Sequence, residues 1–238
     1  MQPAFRVVST AFGVVVVTVV DPAAAGLDAL PAAERALAAP WGARRRATFA
    51  AGRHALRGAL VAAGVVGVPD VIGPILRDDR GAPVLPPDLP GDLRVSVSHK
   101  DSHAAALVAR VDDGGVHIGV DLELDAGWTR ARVDGIARQT LRPAELDALP
   151  DDDVARRRAV LVRFSAKESL YKAVDKTLRR YVGFHEVGVD VAGDALAFSC
   201  PAGSGLRAAG VVVDVGDDGV LLTACHARPG AALVVSPA

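Results

Sequence analysis

Asp121 and Glu123 stand two positions apart in Gly119-Val120-Asp121-Leu122-Glu123-Leu124. On an extended strand, side chains alternate between faces. The two carboxylates therefore share one face, and Val120, Leu122 and Leu124 share the other. Same-face neighbours lie roughly 6.5–7 Å apart along a strand, so both carboxylates can reach one cation. An oxygen-only donor pair suits Mg²⁺, which keeps several waters and also takes phosphate oxygens from a substrate. The same alternation equally describes an amphipathic strand with a wet acidic face.

A second patch is Phe164-Ser165-Ala166-Lys167-Glu168-Ser169-Leu170-Tyr171-Lys172-Ala173. On a helix, Glu168 and Lys172 are i,i+4 neighbours in the favourable order. Glu168 is placed to be a third metal ligand or a general base, and Lys172 a cation for a phosphate or leaving group. A solvated helix salt bridge, contributing about 0.3–0.5 kcal/mol, is the plainer alternative. Lysine usage argues against it. The chain has only four lysines among its 27 basic residues, and Lys167, Lys172 and Lys176 fall within ten positions. A chain that uses arginine almost everywhere has little reason to place lysine at a generic surface site.

A third patch, Ser96-Val97-Ser98-His99-Lys100-Asp101-Ser102-His103, joins a strand to a tight turn. A histidine flanked by hydroxyls at a strand end can grip a phosphate. Turns are also rich in hydrogen-bonding residues for purely local reasons. Gly-x-x-x-x-Gly-Lys-Ser/Thr, Gly-x-Ser-x-Gly and His-Glu-x-x-His are all absent, which removes the P-loop, serine-hydrolase and zincin readings.

Composition narrows the class. The 238 residues carry 27 Lys+Arg against 28 Asp+Glu, a net charge of -1. That balance disfavours a dedicated nucleic-acid binder. The length suffices to bury a substantial core. No apolar run approaches the roughly 20 residues of a membrane span. Cys200 and Cys225 lie 25 positions apart without Cys-x-x-Cys, which suits a reducing compartment without structural zinc. Residues 5–20 have the outline of a secretion signal. Their β-branched run, interrupted by Ser9, Thr10 and Thr18 and bent at Gly13, favours one or two buried strands.

The elements that must carry these patches alternate between helix and strand. Helices are expected over 43–63 and 156–174, with a short one opening at Pro143. Gly64, Gly67 and Pro69 stop the first. Residues 77–92, rich in glycine and proline, read as a loop. Strands are expected over 94–98, 104–111, 117–124, 187–191, 195–200, 208–215 and 220–227. A hairpin turn is expected at Asp112-Asp113-Gly114-Gly115. Helix followed by antiparallel strands, twice, suggests two α+β halves with the chemistry between them.

Read in order, Gly81-Ala82-Pro83, Ser96-Val97-Ser98-His99, Gly119-Val120-Asp121-Leu122-Glu123 and Phe164-Ser165-Ala166-Lys167-Glu168-Ser169-Leu170-Tyr171-Lys172 resemble the 4′-phosphopantetheinyl transferase superfamily. The similarity is to its two-lobed branch, which activates siderophore, peptide (surfactin and enterobactin type) and polyketide synthases. The resemblance implies an α+β fold of two pseudo-symmetric lobes, 1–116 and 117–238, each with an antiparallel sheet and a long helix. It implies a reaction in which coenzyme A donates its phosphopantetheine arm to a serine of an apo acyl or peptidyl carrier protein, releasing adenosine 3′,5′-bisphosphate. Asp121, Glu123 and Glu168 match the magnesium-binding positions, so Mg²⁺ is the implied cofactor and is expected to order the site. Glu168 also matches the base for the incoming serine, and Lys172 the lysine that assists the departing phosphate. His99, with Ser98 beside it, matches a coenzyme A phosphate contact. Arg53 and Arg45, the latter in competition with Arg46, match the 3′-phosphate grip. Arg80 matches a further phosphate contact. A cytoplasmic monomer, without nucleic-acid or membrane partners, is implied as well.

The chain departs from the family pattern at two places. Val84-Leu85-Pro86 stands where members often have Trp-Pro after the Gly-x-Pro, and Lys100 follows His99 where many relatives carry a small or polar residue. A member that binds coenzyme A without transferring, or a different Mg²⁺-dependent phosphoryl-transfer enzyme, are the competing readings.

Overall fold

The computed structural model describes residues 5–19, 26–101, 103–112, 115–213, 215 and 219–230. Expected features at residues 20–25, 102, 113–114 and 214 lie outside that set.

The amino-terminal valine run forms a hairpin. Strands β1 (Phe5–Thr10) and β2 (Gly13–Val19) pair from Phe5 opposite Thr18 to Thr10 opposite Gly13. Gly13 has φ 134°, and a Cβ there would lie 2.2 Å from the Val108 carbonyl oxygen, so the bend needs glycine. Only β2 is buried. β1 lies at the sheet edge with Phe5 and Val7 exposed, so of the one or two buried strands expected, one is buried. Strands β3 (Leu76–Arg77) and β4 (Pro83–Val84) form a small two-stranded clip within the glycine- and proline-rich stretch. Strands β5 (Leu93–Lys100) and β6 (His103–Arg110) follow, completing a four-stranded antiparallel sheet in the order β1-β2-β6-β5.

The second sheet is built from β7 (His117–Leu124), β8 (Gly188–Ala192), β9 (Ala195–Ser199), β10 (Leu206–Val213) and β11 (Val220–Pro229), in the order β7-β11-β10-β9-β8. The turn expected at Asp112–Gly115 falls partly outside the described residues, but β6 and β7, the strands on either side of it, do not pair with each other. Both sides of β6 are already taken by β2 and β5, so the chain leaves the first sheet and starts the second at β7.

Helices cover the outer faces. They are α1 (Ala32–Ala38), α2 (Ala43–Ala62), α3 (Arg130–Thr140), α4 (Pro143–Asp147) and α5 (Asp153–Leu178). Neither α1 nor α3 was expected, although Val133, Ile136, Ala137 and Thr140 give α3 a short helical stripe. α5 starts three residues before its expected position because the Asp152 side chain accepts from the Val154 and Ala155 amides, an N-cap. Alternation along β2 divides the core. Val16 packs with Leu56 and Leu60 of α2, while Val15 and Val17 join Leu107, Val120, Leu122 and Leu222 between the sheets. Leu161, Leu170 and Val174 of α5 pack on the far side of the second sheet with Leu221 and Cys225. The layers run helix, sheet, sheet, helix: a mixed α and β fold with antiparallel sheets. No helix of the described residues is long and apolar enough to cross a membrane.

Candidate active site

Edge strands of the two sheets meet along β5 and β7, and three alternate β5 side chains make the junction. Ser96 Oγ accepts from the Val120 amide at 3.1 Å. Ser98 Oγ donates to Asp121 Oδ1 at 2.9 Å. The Lys100 ammonium reaches both Glu123 oxygens, at 2.9 and 2.7 Å. Val97 and His99, on the other face of β5, approach Gly52 of α2. The strand period of two thus sends the serines and Lys100 to the acidic strand and His99 to the helix.

Asp121 and Glu123 share a face, as their spacing predicts, but that face is dry: each is 5% exposed. The wet amphipathic strand is therefore not what this sequence forms. α5 presses on that face. A Cβ on Gly119 would lie 1.9 Å from the Ser169 carbonyl oxygen, so only glycine lets the strand and helix approach this closely. The close approach brings Lys172 Nζ within 2.9 Å of Asp121 Oδ1 and 2.8 Å of the Val120 carbonyl. Lys172 therefore bonds to β7 rather than forming the solvated i,i+4 pair with Glu168. Glu168, half-buried, has its carboxyl pushed above the ordinary range by burial, then by the negative charge of Asp121. Glu123 is shifted the same way, first by burial, with the Lys100 hydrogen bond working against it.

The donor set suits a hard divalent cation. All three groups are carboxylates, Asp121 Oδ2 is buried with no hydrogen-bond partner, and the charges of Asp121 and Glu123 both act on Glu168. Among the described residues, however, no three such side chains close into a ready-made metal cage. Two lysines instead occupy the carboxylates.

Beside the acids lies a pocket of about 480 Å³ lined by Trp41, Arg45, Arg53, Arg77, Arg80, His99, Lys172 and Lys176 among others. Basic side chains from both sheets' sides make it a natural receptacle for a polyanion. Arg45 and Arg77 lie over the Trp41 ring, with guanidinium carbons 4.5 and 4.9 Å from its centroid. Arg53 lies over Phe49 and donates to the Ile75 and Leu76 carbonyls at 2.8 and 2.9 Å. Burial holds its pKa down at about 10. Two of its three nitrogens are thus committed to backbone. Arg80 forms a fork with Asp175 at the end of α5, which holds its charge firmly. His99 keeps an open surface yet is shifted below its usual pKa, first by lost solvation and then by Lys172, Arg53 and Arg45. A second, wider pocket of about 710 Å³ adjoins it, with Arg44, Arg45, His99, Lys100 and Arg132 in its wall.

The structure therefore brings Asp121, Glu123, Glu168, Lys172 and Ser98 into one cluster, with His99, Arg45, Arg53 and Arg80 around the adjoining pocket. Sequence reasoning missed Trp41, Arg77 and Asp175, and gave Ser96, though inside a singled-out motif, no role of its own. Trp41, one of only two tryptophans and three positions before the Arg44-Arg45-Arg46 run, was the available signal. Lys167 has a different role. It is 2% exposed and donates to Glu145 at 2.6 Å and to the Thr140 carbonyl at 2.8 Å, tying α5 to α4. Both cysteines are free thiols, with Cys225 fully buried and pushed up to about 12 by that burial.

Comparison with known proteins falls on the same segments. Residues 117–200 match the model of the 4′-phosphopantetheinyl transferase superfamily, and residues 33–109 that of the 4′-phosphopantetheinyl transferase N-terminal domain. The 4′-phosphopantetheinyl transferase PptT of Mycobacterium tuberculosis is 30% identical over 174 residues, covering 73% of this chain and 70% of that protein. A holo-acyl-carrier-protein synthase of Halalkalibacterium halodurans is 41% identical over 69 residues, covering 27% of this chain and 58% of that protein. On this footing the chain belongs to the 4′-phosphopantetheinyl transferase superfamily and is a transferase of that type.

Proposed function

We propose that this transferase moves the 4′-phosphopantetheine arm of coenzyme A onto a serine hydroxyl of an apo acyl or peptidyl carrier protein and releases adenosine 3′,5′-bisphosphate. One observation carries the reading: an acidic cluster, buried Asp121 and Glu123 with half-buried Glu168, lies beside a pocket walled by arginines and lysines. A pyrophosphate fits that border, with its charge facing the cations and its reacting phosphorus facing the acids.

Each residue then has work to do. Arg45 and Arg53 hold the 3′-phosphate, and Arg80, His99 and Ser98 line the path of the remaining phosphates. Arg80 exchanges Asp175 for a phosphate oxygen as the nucleotide enters. Asp121, Glu123 and Glu168 would hold Mg²⁺, which when bound supplies charge neutralisation at the pyrophosphate oxygens. Glu168 takes the serine proton, directly or through water. Its raised pKa brings it nearer to working pH, where a base is most effective. Lys172, on the rigid α5, presents its ammonium to the departing phosphate. Residues 1–116 contribute most of the nucleotide contacts and 117–238 the acidic groups. A single copy of the chain supplies both sides of the site.

The experiment is direct. Protein, coenzyme A, Mg²⁺ and an apo carrier are incubated, and the carrier is weighed by mass spectrometry. A gain of one phosphopantetheine arm is expected, and Glu168→Gln should slow it about 10²–10⁴-fold. No gain on any of a panel of apo carriers, with coenzyme A still bound, would leave a binding protein without transfer.

A further inference from the structure

We propose that Lys100 is a tethered cation that competes with a divalent ion for Glu123, and so sets how tightly the nucleotide-free protein binds metal. The proposal rests on the reading of Asp121, Glu123 and Glu168 as ion-holding groups. It concerns a side chain which that reading leaves without a role.

The geometry of the two lysines differs in a way that matters. Lys172 is anchored twice, to Asp121 and to the Val120 carbonyl. Lys100 instead straddles both oxygens of Glu123, at 2.9 and 2.7 Å. The Glu123 side chain is 6% exposed, whereas that of Lys100 is 34% exposed and forms part of the wall of the wider pocket. The ammonium thus seals a buried carboxylate from the solvent side, at the end of a four-carbon stem that can swing out. An incoming divalent ion meets two obstacles there. One oxygen already accepts a hydrogen bond, the other faces the ammonium at 2.7 Å without one, and that positive charge stands where the ion must come. Burying Glu123 without a counter-ion is costly, so the lysine keeps the empty site tolerable while lowering its affinity for metal. In this scheme metal enters efficiently only with a polyphosphate, whose oxygens supply the missing ligands and whose negative charge draws the ammonium away.

The test is direct titration with Mn²⁺, a spectroscopic stand-in for Mg²⁺, followed by the loss of the free-ion electron paramagnetic resonance signal. It uses the full chain without coenzyme A. Lys100→Gln should bind Mn²⁺ about tenfold more tightly than wild type or better, since removing one positive charge at contact distance is a large electrostatic change. Lys100→Met should do the same, and Lys100→Arg should stay near wild type. Adding Glu123→Gln to Lys100→Gln should erase the gain. Equal or weaker binding by both Lys100→Gln and Lys100→Met, or no binding by any of the proteins at millimolar Mn²⁺, would overturn the proposal. The carrier mass assay on wild type separates the two readings. Transfer with an unchanged titration defeats the role of Lys100 alone, whereas failed transfer defeats the enzymatic reading whatever Lys100 does.

Discussion

Glu168 is the side chain whose environment most reveals its purpose. Burial and the charge of Asp121 hold its pKa above the ordinary carboxylate range in the folded chain. A carboxylate whose folded pKa is raised opposes folding once it is ionised. Metal-free Glu168→Gln is therefore expected to melt at a higher temperature than wild type at neutral pH, while its transfer rate falls. The sign follows from linkage. The difference is full above the raised folded pKa and shrinks as pH falls through it towards the unfolded value, where both proteins carry a neutral group. Calorimetric melting of the pair across that range checks it, and a difference that grows with acid would contradict the assignment. Such a site trades stability for chemistry. The residue types at the acidic site were legible because strand alternation and Glu-x-x-x-Lys spacing constrain geometry. The partner of Lys172 was not legible. Only the close approach of another element decides whether a helix lysine bonds to its own turn or to a strand.

Two elements, β7 and α5, hold the reactive groups, and glycine permits their contact. Gly119→Ala would drive a methyl group into the Ser169 carbonyl. It should cost about 3 kcal/mol or more, read as a lowered denaturation midpoint, with transfer reduced beyond the loss of folded protein. Lys167 secures the other side of α5. Lys167→Met leaves Glu145 buried without its cation and should cost about 3–5 kcal/mol. Adding Glu145→Gln should recover part of that loss, which a purely steric effect would not allow. The long helices α2 and α5 and most strands followed from pattern. α1 and α3 did not: α1 is short, and the stripe of α3, Val133, Ile136 and Ala137, spans only two turns among charged residues. The turn after β6 carried all the marks of a hairpin. β6 and β7 nevertheless do not pair, because β6 already has its hairpin partner β5 on one side and β2, distant in sequence, on the other, which the chemistry of the turn does not reveal.

At the scale of the whole molecule, the functional pocket lies where two half-structures meet, so neither half contains it alone. The Arg80–Asp175 and Arg179–Asp79 pairs strap the clip of the first half to the end of α5. The Arg179–Asp79 strap is open to solvent and the Arg80–Asp175 strap is partly exposed, its side chains at 28% and 14%; ion pairs near the surface hold weakly and screen readily. Asp175→Asn is accordingly expected to leave the melting temperature nearly unchanged while lowering the Kd for coenzyme A, since it frees Arg80 for phosphate. Arg80→Ala should raise that Kd, and calorimetric titration distinguishes the two. The two-half plan was readable from the repeated order of helix and strands, whereas the lysines that occupy the acids were not. An anomalous diffraction experiment on crystals grown with coenzyme A and Mn²⁺ tests the functional account at its root. Expected is one metal peak bonded to Asp121, Glu123 and Glu168 and to the pyrophosphate oxygens, with the 3′-phosphate between Arg45 and Arg53. A nucleotide bound elsewhere, or a peak remote from those carboxylates, would contradict it.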